Sequence, residues 1–488
     1  MLQVTEREII NRLAFDNPWW AEKAVPKRFR DWPRRAYLGG LYAMVAESKV
    51  RRAVVLLGPR RVGKTVMLQQ SVQRLIDDGT DPKAVLYVSV DTPVYSGLPL
   101  EFLLRLFMEM HKHHRADRLF VIYDEIQYYK NWEIHLKSLV DSYPEIRFVA
   151  SGSAAAALRM KSIESGAGRF TDFLLPPLTF AEFRHFAKRG ALERFTDDSP
   201  DAVAALNRDF LDYLNFGGFP EAVMDESIRR SMDRYIASDI VDKVLLRDLP
   251  SLYGVSDTTE LNRLFTILAY NTGNEVNLEG LSQASGVAKN TLRKYIEYLE
   301  AAFLIHRLYR IDENAQRFKR ATHFKVFLTN PCIRAALFGA IGPDDEAMGR
   351  MCETGFVSQV AHTKIAKRLF YARWPSGEVD FVVLDPASQR PSSAIEAKWS
   401  DRAADNPDKE LSGFVDFCDR NKLNSGWVLS RTRSRTVKVN NLKLIVRPVA
   451  MVCQNIDYEY IAQPIAKGLH PRTLIPFTVT AVGDKLPD

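Results

Sequence analysis

Residues 54–70, VVLLGPRRVGKTVMLQQ, limit the folds open to this chain more than any other segment. Four apolar residues read as a buried strand, a loop bounded by Gly58 and Gly63 follows, and an amphipathic run from Lys64 reads as a helix. Strand, G-x-x-x-x-G-K-[ST] and helix, in that order, describe a phosphate-binding loop. Its glycines let the backbone curl so that N–H groups converge on an anion, with the positive end of the helix behind them. The candidate ATP-binding residues are therefore Gly58, Pro59, Arg60, Arg61, Val62, Gly63, Lys64, Thr65 and Val66. Lys64 is placed to reach the β- and γ-phosphates, and the Thr65 hydroxyl to ligate Mg²⁺.

Such a loop requires a later buried strand that ends in a carboxylate. Residues 118–127, RLFVIYDEIQ, supply an apolar run followed directly by Asp124 and Glu125. Asp124 is the candidate Mg²⁺ ligand and Glu125 the candidate base for the attacking water, a pair that favours hydrolysis over binding alone. Strand-like and helix-like segments alternate through residues 85–157, which predicts the α/β class with a parallel sheet covered on both faces. The last of these strands ends in Ser151, a candidate γ-phosphate sensor or water-orienting group, with a helix cap as the plainer reading. Arg169 lies in a glycine-flanked loop, where its planar charged fork suits phosphoryl stabilisation in trans; an ordinary surface arginine is the other reading.

The ordered set GPRRVGKT, YDEIQ, ASGSAA, GRF with LPPLTFAEF, and FGGFPEAV resembles one prokaryotic family over about residues 37–398. These are the AAA-type ATPases whose C-terminal domain is known only as a domain of unknown function. The resemblance implies an AAA+ P-loop fold, ATP with Mg²⁺, and a homo-oligomer, with a ring or hexamer among the arrangements it allows. Arg169 matches the family's Gly-Arg position, which implies a γ-phosphate or trans-finger role.

Length and composition fit several domains. With 488 residues the chain has room for three, and 46% hydrophobic with 26% charged residues is ordinary for a globular protein. A net charge of +7 is compatible with an acidic partner such as nucleic acid. Cys332, Cys352, Cys418 and Cys453 form no Cys-x-x-Cys pair and read as buried thiols of a reducing compartment. No signal peptide and no apolar run near 18 residues is found, so a cytoplasmic protein without a membrane segment is expected. Trp19, Trp20 and Trp32 read as staples for an N-terminal arm, with base stacking as the alternative. His111, His113 and His114 read as a solvated helix end, because no acid or cysteine stands at ligand spacing.

The expected domains are an N-terminal arm (1–36), the nucleotide-binding domain (37–183), a helical lid (184–255), a winged helix (256–312), a nuclease-like domain (313–450) and an extension (451–488). Asp239, Arg247 and Asp248 of the lid suit a subunit contact or a solvated face. In the winged helix, two helices meet at a Gly286 turn, and residues 304–311 suit a wing strand. Lys289, Asn290, Thr291, Arg293 and Lys294 at the start of the second helix are candidate DNA contacts, and the basic run RFKRATHFK (317–325) a phosphate track.

Downstream, Asp380 on one apolar strand and Glu396 with Lys398 on the next resemble the PD-(D/E)xK core of an α/β restriction-endonuclease-like fold. Residues two apart on a strand share a face, so the three can form one site. There the carboxylates would hold Mg²⁺ and the lysine would steady water or charge, with Glu353 on a preceding helix completing the set; a structural salt bridge is the plainer reading. Arg431, Arg433, Arg435 and Lys438 line a phosphate path or solvate a loop. Three functions stay open: an ATP-driven machine acting on duplex, forked or branched DNA by translocation or branch migration, with a nuclease-like domain that binds or cleaves it; an ATP-gated oligomeric defence or signalling switch with a nuclease-like effector; and a non-cleaving regulator in which that domain is a scaffold.

Overall fold

In the computed structural model, which describes residues 4–47, 50–153, 156, 168–250, 254–255, 257–316 and 323–457, the apolar runs of the first 177 residues form one parallel sheet. Its strands are β1 (Ala53–Leu57), β2 (Val85–Ser89), β3 (Phe120–Asp124), β4 (Arg147–Gly152) and β5 (Phe170–Leu174), in the order β2-β3-β4-β1-β5. Every neighbouring pair is parallel, and β1 and β3 are buried at every residue, as strands covered on both faces must be. This order sets β4 between β1 and β3. The loop after β1, the acids ending β3 and the serine near the end of β4 therefore emerge side by side at one edge of the sheet.

Edge strand β2 is covered by the N-terminal arm. Asn17 Nδ2 donates to the Tyr87 carbonyl at 2.9 Å and Asn17 Oδ1 accepts from the Tyr87 N–H at 2.6 Å. Trp19 and Trp20 both donate Nε1–H to the Val85 carbonyl, at 3.1 and 2.8 Å. The arm thus blocks an edge that would otherwise template another strand. His111 stacks edge-on against Trp20 and Phe107, so it belongs to the same apolar packing.

The described residues divide into two compact units, one drawn from residues 4–177, 243–255 and 301–303, the other from residues 178–242, 257–300 and 304–457. This division departs from a lid spanning 184–255. Phe183, Val203, Leu206, Phe210, Tyr213 and Leu214 pack with Cys352, Phe356 and Val357 in the core of the second unit, while Asp248 belongs to the first. Amphipathic periodicity marks a buried face on those helices and leaves its partner unspecified.

The second unit is built on a nine-stranded mixed sheet ordered β13-β14-β12-β11-β10-β9-β7-β8-β6. Its strands are β6 (Glu275–Asn277), β7 (Ile305–Ile311), β8 (His323–Leu328), β9 (Leu369–Trp374), β10 (Gly377–Leu384), β11 (Pro391–Ala397), β12 (Ser425–Ser430), β13 (Arg435–Val439) and β14 (Leu442–Pro448). Helices Thr258–Tyr270, Leu278–Ser285 and Lys289–Ala301, with β6 and β7, occupy the segment expected as a winged helix. The strand expected as a wing is not free. β7 pairs antiparallel with β8 on one side and parallel with β9 on the other, so the sheet of β6, β8 and β7 runs on into the C-terminal strands. A domain boundary at 312 accordingly falls inside the β7–β8 hairpin. Residues 449–457 form a helix packed in the core, whereas residues 458–488 of the expected extension lie outside the described residues. No described helix is long and apolar enough to cross a membrane.

Candidate functional site

The phosphate loop is held by its glycines. A Cβ on Gly58 would come within 2.2 Å of the Leu175 carbonyl oxygen, and Gly63 has φ 91°, a conformation L side chains avoid. The helix Lys64–Asp77 starts there, with Lys64 buried in its first turn. Lys64 Nζ donates to the Gly58 and Pro59 carbonyls at 3.1 and 2.8 Å. Burial draws the Lys64 ammonium below the usual lysine range, with the Glu125 and Asp124 charges opposing. A desolvated cation bonded to neutral carbonyls at the N-terminus of a helix suits a polyphosphate.

Four donors converge on Asp124. Thr65 Oγ1 and Tyr87 Oη each donate to Oδ2 at 2.7 Å, Ser151 Oγ donates to Oδ1, and the Glu125 N–H donates to Oδ1 at 3.1 Å. Thr65 and Asp124 together offer the hard oxygen donors that Mg²⁺ takes, so the side chains present fit that ion. Glu125 follows in a left-handed conformation, φ 54°, which only a few per cent of non-glycine residues adopt. Gln127 Nε2 donates to Glu125 Oε2, and Gln127 Oε1 accepts from the Ser153 N–H at 3.2 Å. Burial pushes the Glu125 carboxyl up, and the Lys64 charge holds it down. A desolvated, hydrogen-bonded carboxylate under the influence of the Lys64 charge is equipped to take a proton from water.

Arg60, inside the loop, forms a bidentate pair with Asp248 at 2.9 and 2.8 Å and donates to Tyr128 Oη at 3.1 Å. Burial opposes the Arg60 charge, and the Asp248 hydrogen bonds overcome it and raise its pKa. Arg61 and Val62 complete the loop, Val62 buried with its carbonyl accepting from Arg35 at 2.7 Å, and Val66 lies in the first turn of the helix. Arg169 does not join the site. Its carbonyl accepts from the Ala53 N–H at the start of β1, and its guanidinium pairs with Asp141. The phosphate loop leaves the other end of this five-residue strand, about 16 Å away.

In the second unit Glu353, Asp380, Glu396 and Lys398 do come together. Lys398 Nζ lies 2.8 Å from Glu396 Oε1 and 3.3 Å from Asp380 Oδ2, and Asp380 Oδ2 also accepts from the Ala397 N–H at 3.0 Å. Glu353 joins through Lys325, whose Nζ is 3.3 Å from Glu353 Oε2, 2.8 Å from Glu378 Oε1 and 3.7 Å from Asp380 Oδ1. Burial and the neighbouring Asp380 charge push both the Glu353 and Glu396 carboxyls up. A cleft of about 510 Å³ opens beside the cluster, lined by Glu353, Lys398, Trp399, Arg350 and Arg431 among others.

The expected DNA-contact residues share one helix face. Lys289, Asn290, Arg293 and Lys294 are exposed and Thr291 is half-buried, while Leu292, Tyr295 and Ile296 turn inward. Lys289 is paired with Glu279. The expected phosphate track fails at its described end, because Lys325 is buried; residues 317–322 lie outside the described residues. Arg431, Arg433 and Arg435 are tied to Asp344 and Asp405. All four cysteines are buried thiols outside any disulfide.

Residues 50–184 match a family described as an AAA domain, and residues 207–344 match a domain of unknown function (DUF8612). An uncharacterized protein of Haemophilus influenzae is 26% identical over 294 residues, 59% of this chain and 70% of its own length. An uncharacterized protein of Methanocaldococcus jannaschii is 24% identical over 365 residues, 70% of this chain and 75% of its own. Among solved structures, that of the Aeropyrum pernix ORC1 protein in complex with DNA has a TM-score of 0.32 at 13% identity, over 65% of this chain and 95% of that one. The AAA match spans the loop, Asp124, Glu125 and Ser151.

Tyr87, Gln127 and Glu378 are site residues that sequence reasoning did not single out, and Asp248 and Lys325 are ones it read in other roles, as a subunit contact or solvated face and as part of a phosphate track. Of these only Lys325 carried a local signal, a lone cation inside the apolar run HFKVFL, where an unpaired charge is costly.

Proposed function

We propose that this protein is an ATPase that hydrolyses ATP to act on DNA, as a motor or remodeller of duplex, forked or branched forms. The reading rests on one observation: Lys64, Thr65, Asp124, Glu125 and Ser151 meet at a single edge of the sheet. In this reading Lys64 and the loop amides bind the phosphates. Mg²⁺, held by Thr65 and Asp124, would supply charge neutralisation at the reacting phosphate. Ser151 and Tyr87 hold the Asp124 carboxylate in one orientation. Glu125, anchored through Oε2 by Gln127, accepts the proton of the attacking water.

DNA as partner is supported by the exposed face bearing Asn290, Arg293 and Lys294 after the Gly286 turn, and by the net charge of +7. The C-terminal domain, whose strands and acid cluster resemble the nuclease core, would add a second DNA contact. Fluorescence anisotropy with labelled duplex and forked DNA, from low to physiological salt, tests this. Binding that weakens steeply with salt, with a shallower slope in an Arg293→Ala/Lys294→Ala variant, is expected. Unchanged salt dependence in that variant would remove the helix from the interface.

A second reading, the ATP-gated oligomeric switch, draws on Arg169. Half-exposed and remote from its own loop, that arginine is available to a neighbouring copy. Slow hydrolysis indifferent to DNA would favour it.

A further inference from the structure

Resemblance to the nuclease core implies Mg²⁺ between Asp380 and Glu396, and the side chains present do not fit that ion. Mg²⁺ asks for oxygens at about 2.0–2.1 Å in near-octahedral array. Among the described residues no three His, Cys, Asp or Glu side chains are disposed to hold a metal. The carboxylates that face one another here are instead bridged by ammonium groups. Lys325 Nζ sits 2.8 Å from Glu378, 3.3 Å from Glu353 and 3.7 Å from Asp380. We propose that Lys325 is the resident cation of this cluster, standing in for the divalent ion that a nuclease site would carry at Asp380.

The two lysines of the cluster differ in kind. Lys398 keeps 41% of its side-chain exposure and lines the open cleft, so it is free to exchange partners with a ligand there. Lys325 keeps 6% and rises from β8, an interior strand held by Glu275 of β6 on one side and Leu308 of β7 on the other. Its neighbours along the strand, Phe324 and Val326, are buried, and its Nζ lies 5.6 Å from the centre of the Tyr371 ring. A charge taken this far from water persists only when paired, and three carboxylates on two other elements pair it. Withdrawing the ammonium would break strand packing as well as ion pairs. The lysine also comes from the winged-helix hairpin, so the C-terminal site is completed by a strand of that hairpin. Nothing in this assignment depends on the ATP site.

Mn²⁺ binding, read by electron paramagnetic resonance of the free ion during titration of the full-length, nucleotide-free protein, tests the assignment. The phosphate-loop site is the same in every variant, so differences report on this cluster. Wild type and Asp380→Asn should bind equal amounts of Mn²⁺. Lys325→Met, or Lys325→Gln where the methionine variant does not fold, should bind one more ion per chain, and the double variant with Asp380→Asn should lose it. An Mn²⁺-induced rise in melting temperature should accompany the gain and be absent from the double variant. The assignment is overturned when Asp380→Asn alone removes an ion from the wild-type count, or when a folded Lys325 variant gains none.

Discussion

Replacing Tyr87 by phenylalanine isolates one hydroxyl in the nucleotide site. The ring is buried in β2 and stays, so packing is preserved, and the backbone bonds to Asn17 are untouched. What is lost is the 2.7 Å bond from Tyr87 Oη to Asp124 Oδ2. Burial and the Asp124 charge raise the Tyr87 pKa well above the usual phenol range, so the wild-type group is a proton donor throughout the physiological range. A hydrogen bond to a charged acceptor contributes about 1.5–3 kcal/mol, and the low end applies because Thr65 still donates to the same oxygen. If that energy fixes Asp124 in the transition state, about 1.4 kcal/mol corresponds to a tenfold loss of kcat. The Tyr87 hydroxyl is directed at Asp124, so if it acts only through that carboxylate KM for ATP should stay within about twofold, as expected when only a transition-state interaction is removed. Steady-state phosphate release across ATP concentrations separates the two constants. A wild-type kcat, or a loss confined to KM, would refute the positioning role.

Other consequences concern neighbouring groups. As the proposed base Glu125 would act only when deprotonated, and burial raises its pKa, so kcat should rise with pH through that raised value; Gln127→Ala, which removes a bond that lowers the pKa, should move the acidic limb to higher pH. Arg60→Ala should destabilise the first unit by about 1.5–3 kcal/mol because it removes a bidentate, charge-assisted contact to the buried Asp248, and a double-mutant cycle with Asp248→Asn in chemical denaturation should show strong coupling; additive losses would mean the pair is incidental. Arg169→Ala should leave ATP binding intact, and, if the residue acts in trans, mixing this variant with Glu125→Gln should restore part of the activity that each lacks alone; activity equal to wild type in Arg169→Ala by itself would assign it to the surface.

How far the sequence foretold this structure depended on how local each cause was. Gly58 to Thr65 forms a motif because backbone geometry and phosphate chemistry act within eight residues, and Asp124 with Glu125 could be found because the loop demands a second strand. Ser151 was placed correctly at a strand end for the same reason. Tyr87 lies within an apolar strand, and its hydroxyl acquires meaning only when β2 pairs with β3. Arg60 and Asp248 stand 188 residues apart, a separation no local pattern spans. The helices expected as a lid show an apolar face, and periodicity is silent on which core receives it. In the C-terminal cluster, the spacing of Glu396 and Lys398 revealed one face of a strand, but the alternation HFKVFL was read with the basic run before it, which hid Lys325.

The most direct measurement is the steady-state ATPase rate of the purified protein with Mg²⁺, alone and with linear duplex, single-stranded, forked or four-way junction DNA, with Glu125→Gln as background. A DNA-acting ATPase predicts that at least one DNA form stimulates hydrolysis severalfold and that Glu125→Gln abolishes both the basal and the stimulated rate. A rate unchanged by every DNA form, or one that survives Glu125→Gln, would contradict it.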